Sequence, residues 1–178
     1  MTPLPDTLHL GSGRHYMPEF CNADILERVG PDWLCDITKV EFGKPVVMKR
    51  FGEVEIRKGM FKRIVTHDCL EHIQDLVQAM TNCRDLLCSG GTMEIGVPYW
   101  LSLGADQDPT HVRRFNEMSW IYYCDWSWYL GWPDDHRFDI VSIQFKKSAF
   151  GETLKGSMEE ILRTPTAVDK MYCTLKRR

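Results

Sequence analysis

Two stretches decide the predicted fold of this chain: Leu8-His9-Leu10-Gly11-Ser12-Gly13 and, further along, Ile64-Val65-Thr66-His67-Asp68-Cys69-Leu70-Glu71-His72-Ile73. The first is typical of a short apolar strand that runs into glycines, whose backbone adopts positive φ and lets a ligand approach closely. The second is typical of an apolar strand that stops at polar residues and then becomes helical. Ligands of open α/β sheets bind beyond the carboxyl ends of such strands. The pair therefore predicts a nucleotide-type cofactor site at the carboxyl edge of a parallel sheet.

The composition is that of an ordinary globular protein, with 178 residues, 43% hydrophobic and 26% charged. This length favours one domain, residues 1–178, with a substantial hydrophobic core. A net charge of −3 without a basic face predicts no nucleic-acid partner, and the lack of a long apolar run predicts no membrane span. Seven scattered cysteines and no signal-peptide pattern predict reduced thiols and a cytoplasmic location.

Hydrophobic periodicity predicts an alternation of strands and helices. The expected strands are Thr7–Leu10, Ala23–Leu26, Trp33–Ile37, Phe61–Thr66, Thr92–Val97, Asp139–Phe145 and Val168–Leu175. The expected helices are 75–88, stopped by Gly90-Gly91, then Glu117–Leu130, and a short one after the capping box Ser157–Glu160. This order predicts an α/β fold: a Rossmann-like, doubly wound sheet, mostly parallel with an antiparallel last strand, in an α/β/α sandwich.

Three segments depart from a regular alternation. The connection Gly11–Asn22 is near the minimum for a βαβ crossover, so its helix is expected to be short or missing. Residues 45–58 predict a hairpin insertion. Residues 99–132 predict a substrate-side loop followed by an aromatic helix. The aromatic residues in that helix are expected mainly to pack, with one or two of them in a pocket; they are Trp120, Tyr122, Tyr123, Trp126, Trp128, Tyr129 and Trp132.

Acidic residues follow the first two strands. Gly11-Ser12-Gly13 is a GxG, and Asp24 follows it at less than the distance of about 20 residues that dinucleotide-binding folds show, which counts against a nicotinamide or flavin site. No Gly-Lys-Ser/Thr follows the glycines, so a P-loop is excluded. At a strand end Asp24 is placed to accept both hydroxyl protons of a ribose, and Asp36 to accept from an exocyclic amine.

This series resembles the class I S-adenosylmethionine-dependent methyltransferases, and most closely their small members with a Leu-Glu-His motif after the fourth strand. The resemblance spans about Leu8 to Trp120 and rests on these segments: Leu8–Gly13, Asn22–Ile25, Asp36–Lys39, Leu70–Ile73, Gly90-Gly91, Val97-Pro98 and His111–Phe115. It implies S-adenosylmethionine as the cofactor. By resemblance, the cofactor-binding residues are Gly11, Ser12, Gly13, Asp24, Ile25, Asp36, Ile37, His67, Asp68 and Leu70.

The resemblance also assigns roles within the cofactor site. The glycine backbone would contact the methionine end of the cofactor. Asp24 would bind the ribose, and Asp36 would bind the edge of the adenine ring. The turn at His67-Asp68 would meet the methionine amino or carboxylate group. Asp68 stands where these proteins often have histidine, and Lys62 where a negative residue is usual.

Acceptor residues are expected after the fifth strand. Tyr99, Trp100, Arg113 and Arg114 are the candidates for binding, because arginines clamp carboxylates or phosphates. The candidate catalytic residues are His111, as a general base, and then His72 and Asp68. The predicted function is methyl transfer to a small-molecule or glycan-like acceptor. A homodimer is a further possibility for the oligomeric state.

Two other functions remain open at this point. Asp68-x-x-Glu71-His72 is one substitution from an H-x-x-E-H zinc motif, so a metal-dependent hydrolase centred on His67–His72 is an alternative. The spacing of His67 and His72 suits two ligands on one helical face poorly, and we therefore expect no metal. A non-catalytic relative that binds cofactor or partner through the aromatic segment is the third interpretation.

Overall fold

A seven-stranded sheet forms the centre of the computed structural model, which describes residues 2–178. The nine strands of the described part are β1 (Thr7–Leu10), β2 (Cys21–Asp24), β3 (Trp33–Leu34), β4 (Pro45–Met48), β5 (Gly52–Glu55), β6 (Phe61–His67), β7 (Leu87–Pro98), β8 (Phe138–Lys147) and β9 (Val168–Arg177). The sheet has the order β3-β2-β1-β6-β7-β9-β8, and β4 pairs with β5 in a separate antiparallel hairpin. In the seven-stranded sheet, β9 runs antiparallel to both of its neighbours, β7 and β8, and all the other neighbouring pairs are parallel. The predicted Rossmann-like sheet with an antiparallel last strand is confirmed.

Short helices connect these strands. The α-helices are α1 (Leu76–Leu86), α2 (Leu103–Asp106), α3 (Ala149–Thr153) and α4 (Met158–Arg163), and the 3-10 helices are Glu27–Val29, Ile37–Lys39, Leu70–His72, Ile121–Tyr123 and Ser127–Leu130. The predicted capping box of α4 is present: Ser157 accepts from the backbone of Glu160, whose carboxylate accepts from the backbone of Ser157. Within residues 2–178, none of the helices has the length and apolar run that a membrane crossing requires.

The predicted end of the first long helix was wrong. The helix α1 ends at Leu86, and β7 starts at the next residue, so Gly90-Gly91 lies inside a strand. A Cβ at Gly91 would lie 2.9 Å from the carbonyl oxygen of Cys88 and 3.0 Å from that of Lys62. The second glycine is therefore needed for close strand packing, where the sequence suggested a helix stop.

The predicted aromatic helix 117–130 was also wrong. Two separate 3-10 turns, Ile121–Tyr123 and Ser127–Leu130, replace it. Neither turn has a side-chain N-cap, and Gly131 ends the second in the left-handed conformation. Aromatic side chains lose rotamer freedom in a helix, so this segment has little intrinsic preference for a long helix. Its conformation is instead set by how its aromatic side chains pack. Trp120 is buried and stacks on Phe115 at a centroid distance of 5.2 Å.

No helix fills the connection between β1 and β2, as the short spacing predicted. One face of the sheet carries the apolar residues of β7, namely Met93, Ile95 and Val97, which are buried. The opposite face carries Glu94, which forms a half-exposed ion pair with Arg63 of β6 at 2.6 Å. The hydrophobic core therefore lies mainly on one side of the central strands.

An ion pair with a buried carboxylate fastens the hairpin to the sheet. Asp32, which precedes β3, accepts from Arg50 in the hairpin turn at 2.7 and 2.8 Å, from Tyr16 at 2.8 Å and from the backbone of Asn22 at 2.9 Å. Burial disfavours the Asp32 charge, but these hydrogen bonds outweigh it and hold the pKa of Asp32 at about 2. One carboxylate thus joins the hairpin, the segment before β2 and β2 itself.

Candidate functional site

The carboxyl ends of β1 and β2 form a tight polar turn. Gly11 and Gly13 have φ of +69° and +50°, which glycine adopts without strain. The Asp24 carboxylate at the end of β2 accepts from the N–H of Gly13 and from the N–H of Leu26, both at 2.8 Å. These bonds use one lone pair on each oxygen, and each oxygen keeps a further acceptor position. The acid is therefore preoriented at the edge of the sheet.

Exposed apolar side chains lie next to this acid. Ile25 follows Asp24 directly and is 63% exposed, and Leu34 at the end of β3 is 54% exposed. Apolar groups beside an acceptor carboxylate suit a ligand with both a flat ring and hydroxyl groups. These residues fit the nucleoside half of S-adenosylmethionine.

A groove of about 260 Å³ lies beside Asp36, between β3 and the hairpin. Asp36 accepts from the backbone and hydroxyl of Thr38 at 3.0 and 2.7 Å, and it pairs with Lys39 at 2.9 Å. Ile37, by contrast, is buried, and its carbonyl accepts from Asn82 at 2.7 Å. The expectation that the Ile37 side chain contacts the cofactor is therefore corrected: that side chain is part of the core.

The glycine turn packs against the loop that follows β6. A Cβ at Gly11 would lie 2.5 Å from Sγ and 2.6 Å from Cβ of Cys69. The N–H groups of Gly11 and Ser12 both donate to the carbonyl of Ala23, at 2.9 and 3.1 Å, and Ser12 is buried. Residues 11–13 do not line the groove of about 260 Å³ beside Asp36.

The chain reverses sharply at the end of β6. Asp68 has φ of +51°, a left-handed conformation that aspartate tolerates better than most residues, and its N–H donates to the carbonyl of Gly96 at 2.9 Å. Its carboxylate accepts from the ammonium of Lys170 on β9. The ring of His67 lies edge-on to Tyr172 at 5.8 Å, where a side chain on Gly96 would clash with it.

Leu70 does not occupy the position expected of a cofactor-binding side chain. It is completely buried in the core, beneath the 3-10 helix Leu70–His72. The expectation is corrected for its side chain, whose role is to hold this helix on the sheet. The two neighbours Glu71 and His72 turn toward a second groove instead.

This second groove, of about 500 Å³, collects residues from four separate segments. Its lining is mostly polar and comprises Asp68, Glu71, His72, Pro98, Leu103, Gly104, Gln107, Asp108, His111, Lys146, Asp169 and Lys170. All three candidate catalytic residues, Asp68, His72 and His111, therefore lie in one groove at the carboxyl edge of the sheet. The charged lining suits a polar molecule.

Glu71 is the most unusual residue of this groove. It is 1% exposed, and neither carboxylate oxygen has a hydrogen-bond partner among residues 2–178. Burial raises the pKa of Glu71 to about 7. Nε2 of His111 lies 3.9 Å from Oε1 of Glu71, and the rings of His72 and His111 are 4.7 Å apart.

The expected acceptor residues divide into two groups. The expectation for Tyr99 is corrected: its side chain is 1% exposed, and its hydroxyl donates to the partly exposed carboxylate of Glu117 at 2.8 Å. Arg113 donates through one nitrogen to the carbonyls of Ile73 and Gln74 at 2.8 and 2.6 Å, so it fastens the loop, and its role in acceptor binding stays a prediction. Trp100 is half-buried, and Arg114 forms an exposed ion pair with Asp106, so both stay candidates.

Three residues in or beside the groove were not predicted as site residues, namely Glu71, Lys170 and Thr110. Glu71 entered only as part of a possible zinc motif, and Lys170 lies in a predicted core strand. Thr110, whose hydroxyl contacts His72 at 2.8 Å, follows a proline in a polar loop. The sequence pattern that could have indicated Glu71 is a carboxylate placed directly between a leucine expected to be buried and a histidine, Leu70-Glu71-His72.

No protein-family model and no curated protein sequence matches this chain. Its fold is that of the class I S-adenosylmethionine-dependent methyltransferases. It is similar to a SAM-dependent methyltransferase from Archaeoglobus fulgidus, with a TM-score of 0.59, 15% identity, and coverage of 97% of this chain and 86% of that one. A 1,6-didemethyltoxoflavin-N1-methyltransferase from Burkholderia thailandensis, solved with S-adenosylhomocysteine, has a TM-score of 0.52 and 13% identity, over 96% of this chain and 70% of that one.

The same fold also serves a different reaction. The [4+2]-cyclase SpnF has a TM-score of 0.61 to this chain at 11% identity, over 96% of this chain and 73% of that one. The fold is therefore established by these likenesses, and the reaction has to be argued from the site.

Proposed function

We propose that this chain binds S-adenosylmethionine and transfers its methyl group to a small polar or glycan-like acceptor. The observation that carries the proposal is the Asp24 carboxylate, fixed by Gly13 and Leu26 beside the exposed Ile25. The proteins from Archaeoglobus fulgidus and Burkholderia thailandensis, named as methyltransferases, support it through their shared fold. The hydrolase interpretation has no support from these likenesses.

The chain offers a partner for each part of the cofactor. Asp24 would accept the ribose hydroxyls, and Asp36 with Ile25 would hold the adenine. The amino-acid end carries one carboxylate and one ammonium group, which Lys170 and Asp68 match in charge. When bound, the sulfonium supplies an electrophilic methyl group, so the protein needs only to align the acceptor and take its proton.

The acceptor is proposed to bind in the groove of about 500 Å³. Its charged lining, including Asp108, Lys146 and Asp169, favours an acceptor with several hydrogen-bonding groups. His111, His72 and Asp68 are proposed as the groups that position the acceptor and take its proton. Trp100 and Arg114 lie in the segment after β7 and are proposed to contact the rest of the acceptor.

Cofactor binding is tested with S-adenosylhomocysteine. At about 100 times its dissociation constant this ligand is expected to stabilise the folded chain by about 2.7 kcal/mol, because it binds only the folded state. Asp24→Asn is expected to weaken binding by about 1–3 kcal/mol through loss of charged hydrogen bonds. Calorimetry measures the affinity, and Asp6→Asn, a remote exposed change, is the matched control.

Two outcomes would contradict the proposal. One is the absence of any rise in unfolding temperature at millimolar S-adenosylhomocysteine. The other is equal affinity in the wild type and Asp24→Asn, which would remove Asp24 from the site. Binding without turnover over a broad panel of polar acceptors would favour the non-catalytic interpretation. The cytoplasmic location and a homodimer stay predictions, to be measured by fractionation and by sedimentation.

A further inference from the structure

The geometry points to a binding site for one divalent transition-metal ion, such as Zn²⁺, held by Glu71, His72 and His111. One ligand atom from each residue lies within 4.8 Å of the other two. We expected no metal because the sequence motif pairs His67 with His72 as the two histidine ligands, and their spacing suits one helical face poorly. The structure replaces His67 by His111, which lies in the loop after β7.

The first observation is the orphaned carboxylate of Glu71. A charged group that is buried without a partner is costly, and folded proteins satisfy such groups with hydrogen bonds, counter-charges or metal ions. Here both oxygens lack a hydrogen-bond partner among the described residues. The backbone carbonyl of Glu71 accepts from Val112 at 2.9 Å, which brings the residue next to His111. A cation between these side chains supplies the missing partner.

The second observation concerns His111. Its Nδ1 lies 3.2 Å from the carbonyl oxygen of Ala105. A carbonyl only accepts, so Nδ1 carries the proton and the neutral ring has its lone pair on Nε2. That Nε2 is the atom 3.9 Å from Oε1 of Glu71, which is too long for a hydrogen bond. Two ligands of one zinc ion, each bound at about 2.0–2.2 Å, lie about 3–4 Å apart.

His72 is held in the same tautomer by a different partner. Its Nδ1 contacts the hydroxyl of Thr110 at 2.8 Å, and that hydroxyl contacts Asp108 at 2.7 Å. The ionised carboxylate only accepts, so the Thr110 hydroxyl donates to Asp108 and accepts from His72. The lone pair of His72 is therefore also on Nε2. Outer partners that orient ligand imidazoles in this way are typical of metal sites.

The donor set selects the kind of ion. Two imidazole nitrogens and one carboxylate suit zinc and similar transition metals, whereas Mg²⁺ and Ca²⁺ prefer oxygen ligands. Three protein ligands leave at least one coordination position open, as in catalytic zinc sites. Because all three residues line the groove of about 500 Å³, the open position faces the space proposed for the acceptor. With the ion bound, His72 and His111 would position the acceptor through the metal, and Asp68 is the proposed group left to take its proton.

Zinc binding to the chelator-treated full chain, measured by calorimetry, tests this inference. We expect one Zn²⁺ per chain, with Mg²⁺ binding weaker on the order of 100-fold. Thr110→Val, which removes only an outer partner, is expected to weaken Zn²⁺ binding by about 10–100-fold, and His72→Ala by more than that. His15→Ala, an exposed histidine outside the cluster, is the matched control and should bind Zn²⁺ like the wild type.

Glu71→Gln provides a second measurement that does not depend on affinity. The neutral amide removes a buried charge, so the metal-free variant should unfold at no lower temperature than the metal-free wild type. Added Zn²⁺ should raise the unfolding temperature of the wild type and leave that of the variant unchanged. Equal Zn²⁺ affinity in the wild type and His72→Ala, or a Zn²⁺ effect that survives in Glu71→Gln, would overturn the site. No cofactor is present in these experiments, so their failure is distinct from a failure to bind S-adenosylhomocysteine.

Discussion

Asp32→Ala is expected to lower the free energy of unfolding by about 3–5 kcal/mol, because it removes a buried carboxylate and leaves several donors around it, including the partly exposed Arg50, without their acceptor. Arg50 donates to this carboxylate through two nitrogens, at 2.7 and 2.8 Å. The substitution also removes the acceptor for Tyr16 and for the backbone N–H of Asn22. Chemical denaturation monitored by circular dichroism measures the loss.

The matched control is Asp6→Ala. Asp6 pairs with Lys62 at 3.0 Å, but both side chains are mostly exposed, and such pairs contribute about 0–1 kcal/mol. A loss at Asp32 no larger than the loss at Asp6 would contradict the anchoring role of this carboxylate.

The same carboxylate predicts a pH dependence. Its pKa of about 2 lies below the usual carboxyl value of about 3.9, so its contribution to stability is fully present above about pH 4. The contribution is lost as the pH falls from about 4 through 2, where Asp32 takes up a proton in the folded state. Unfolding free energies across this range should fall more steeply for the wild type than for Asp32→Asn. Parallel curves for the two proteins would contradict the assignment.

Gly11→Ala is the second change with a large expected effect, a loss of about 2–5 kcal/mol of stability. A left-handed conformation costs an alanine about 1–2 kcal/mol, and overpacking adds about 1–3 kcal/mol. The new Cβ would overlap Cys69, whose loop leads into the 3-10 helix Leu70–His72. The variant should therefore also bind S-adenosylhomocysteine more weakly.

Gly43→Ala separates the two contributions to this loss. Gly43 has φ of +79°, similar to Gly11, but an added Cβ meets no atom within 4 Å. Its substitution carries only the backbone cost, so the difference between the two variants measures the packing of the glycine turn on Cys69. If both variants lose the same stability in denaturation experiments, that packing contributes nothing.

Local patterns predicted most of the fold. The strands around Leu8, Ile64 and Ile95 are short apolar runs bounded by polar or turn residues, and the capping box at Ser157 is decided by neighbours in sequence. The predictions failed where tertiary contacts decide the backbone. Gly91 was interpreted as a helix stop because a Gly-Gly pair has that local preference, whereas close contact with β6 is its actual constraint.

The candidate site was predictable only in part, because some of its residues meet through tertiary contacts that no local pattern determines. Asp24 and Gly13 are close in sequence and meet at neighbouring strand ends, so their hydrogen bond follows from a parallel sheet. His111 meets Glu71 through a loop whose course no local pattern fixes. Tyr99 shows the opposite error, because an aromatic residue after a strand end fits a pocket or a core equally well in sequence.

The placement of β9 between β7 and β8 has a consequence for folding during synthesis. Within residues 2–178, strand β8 pairs with no strand other than β9, although it precedes β9 in the chain. While a ribosome is still adding the residues of β9, β7 presents an unpaired edge and β8 has no strand to join. Unpaired edges of this kind recruit other chains, so this interval is when a nascent molecule is most exposed to aggregation and to chaperones.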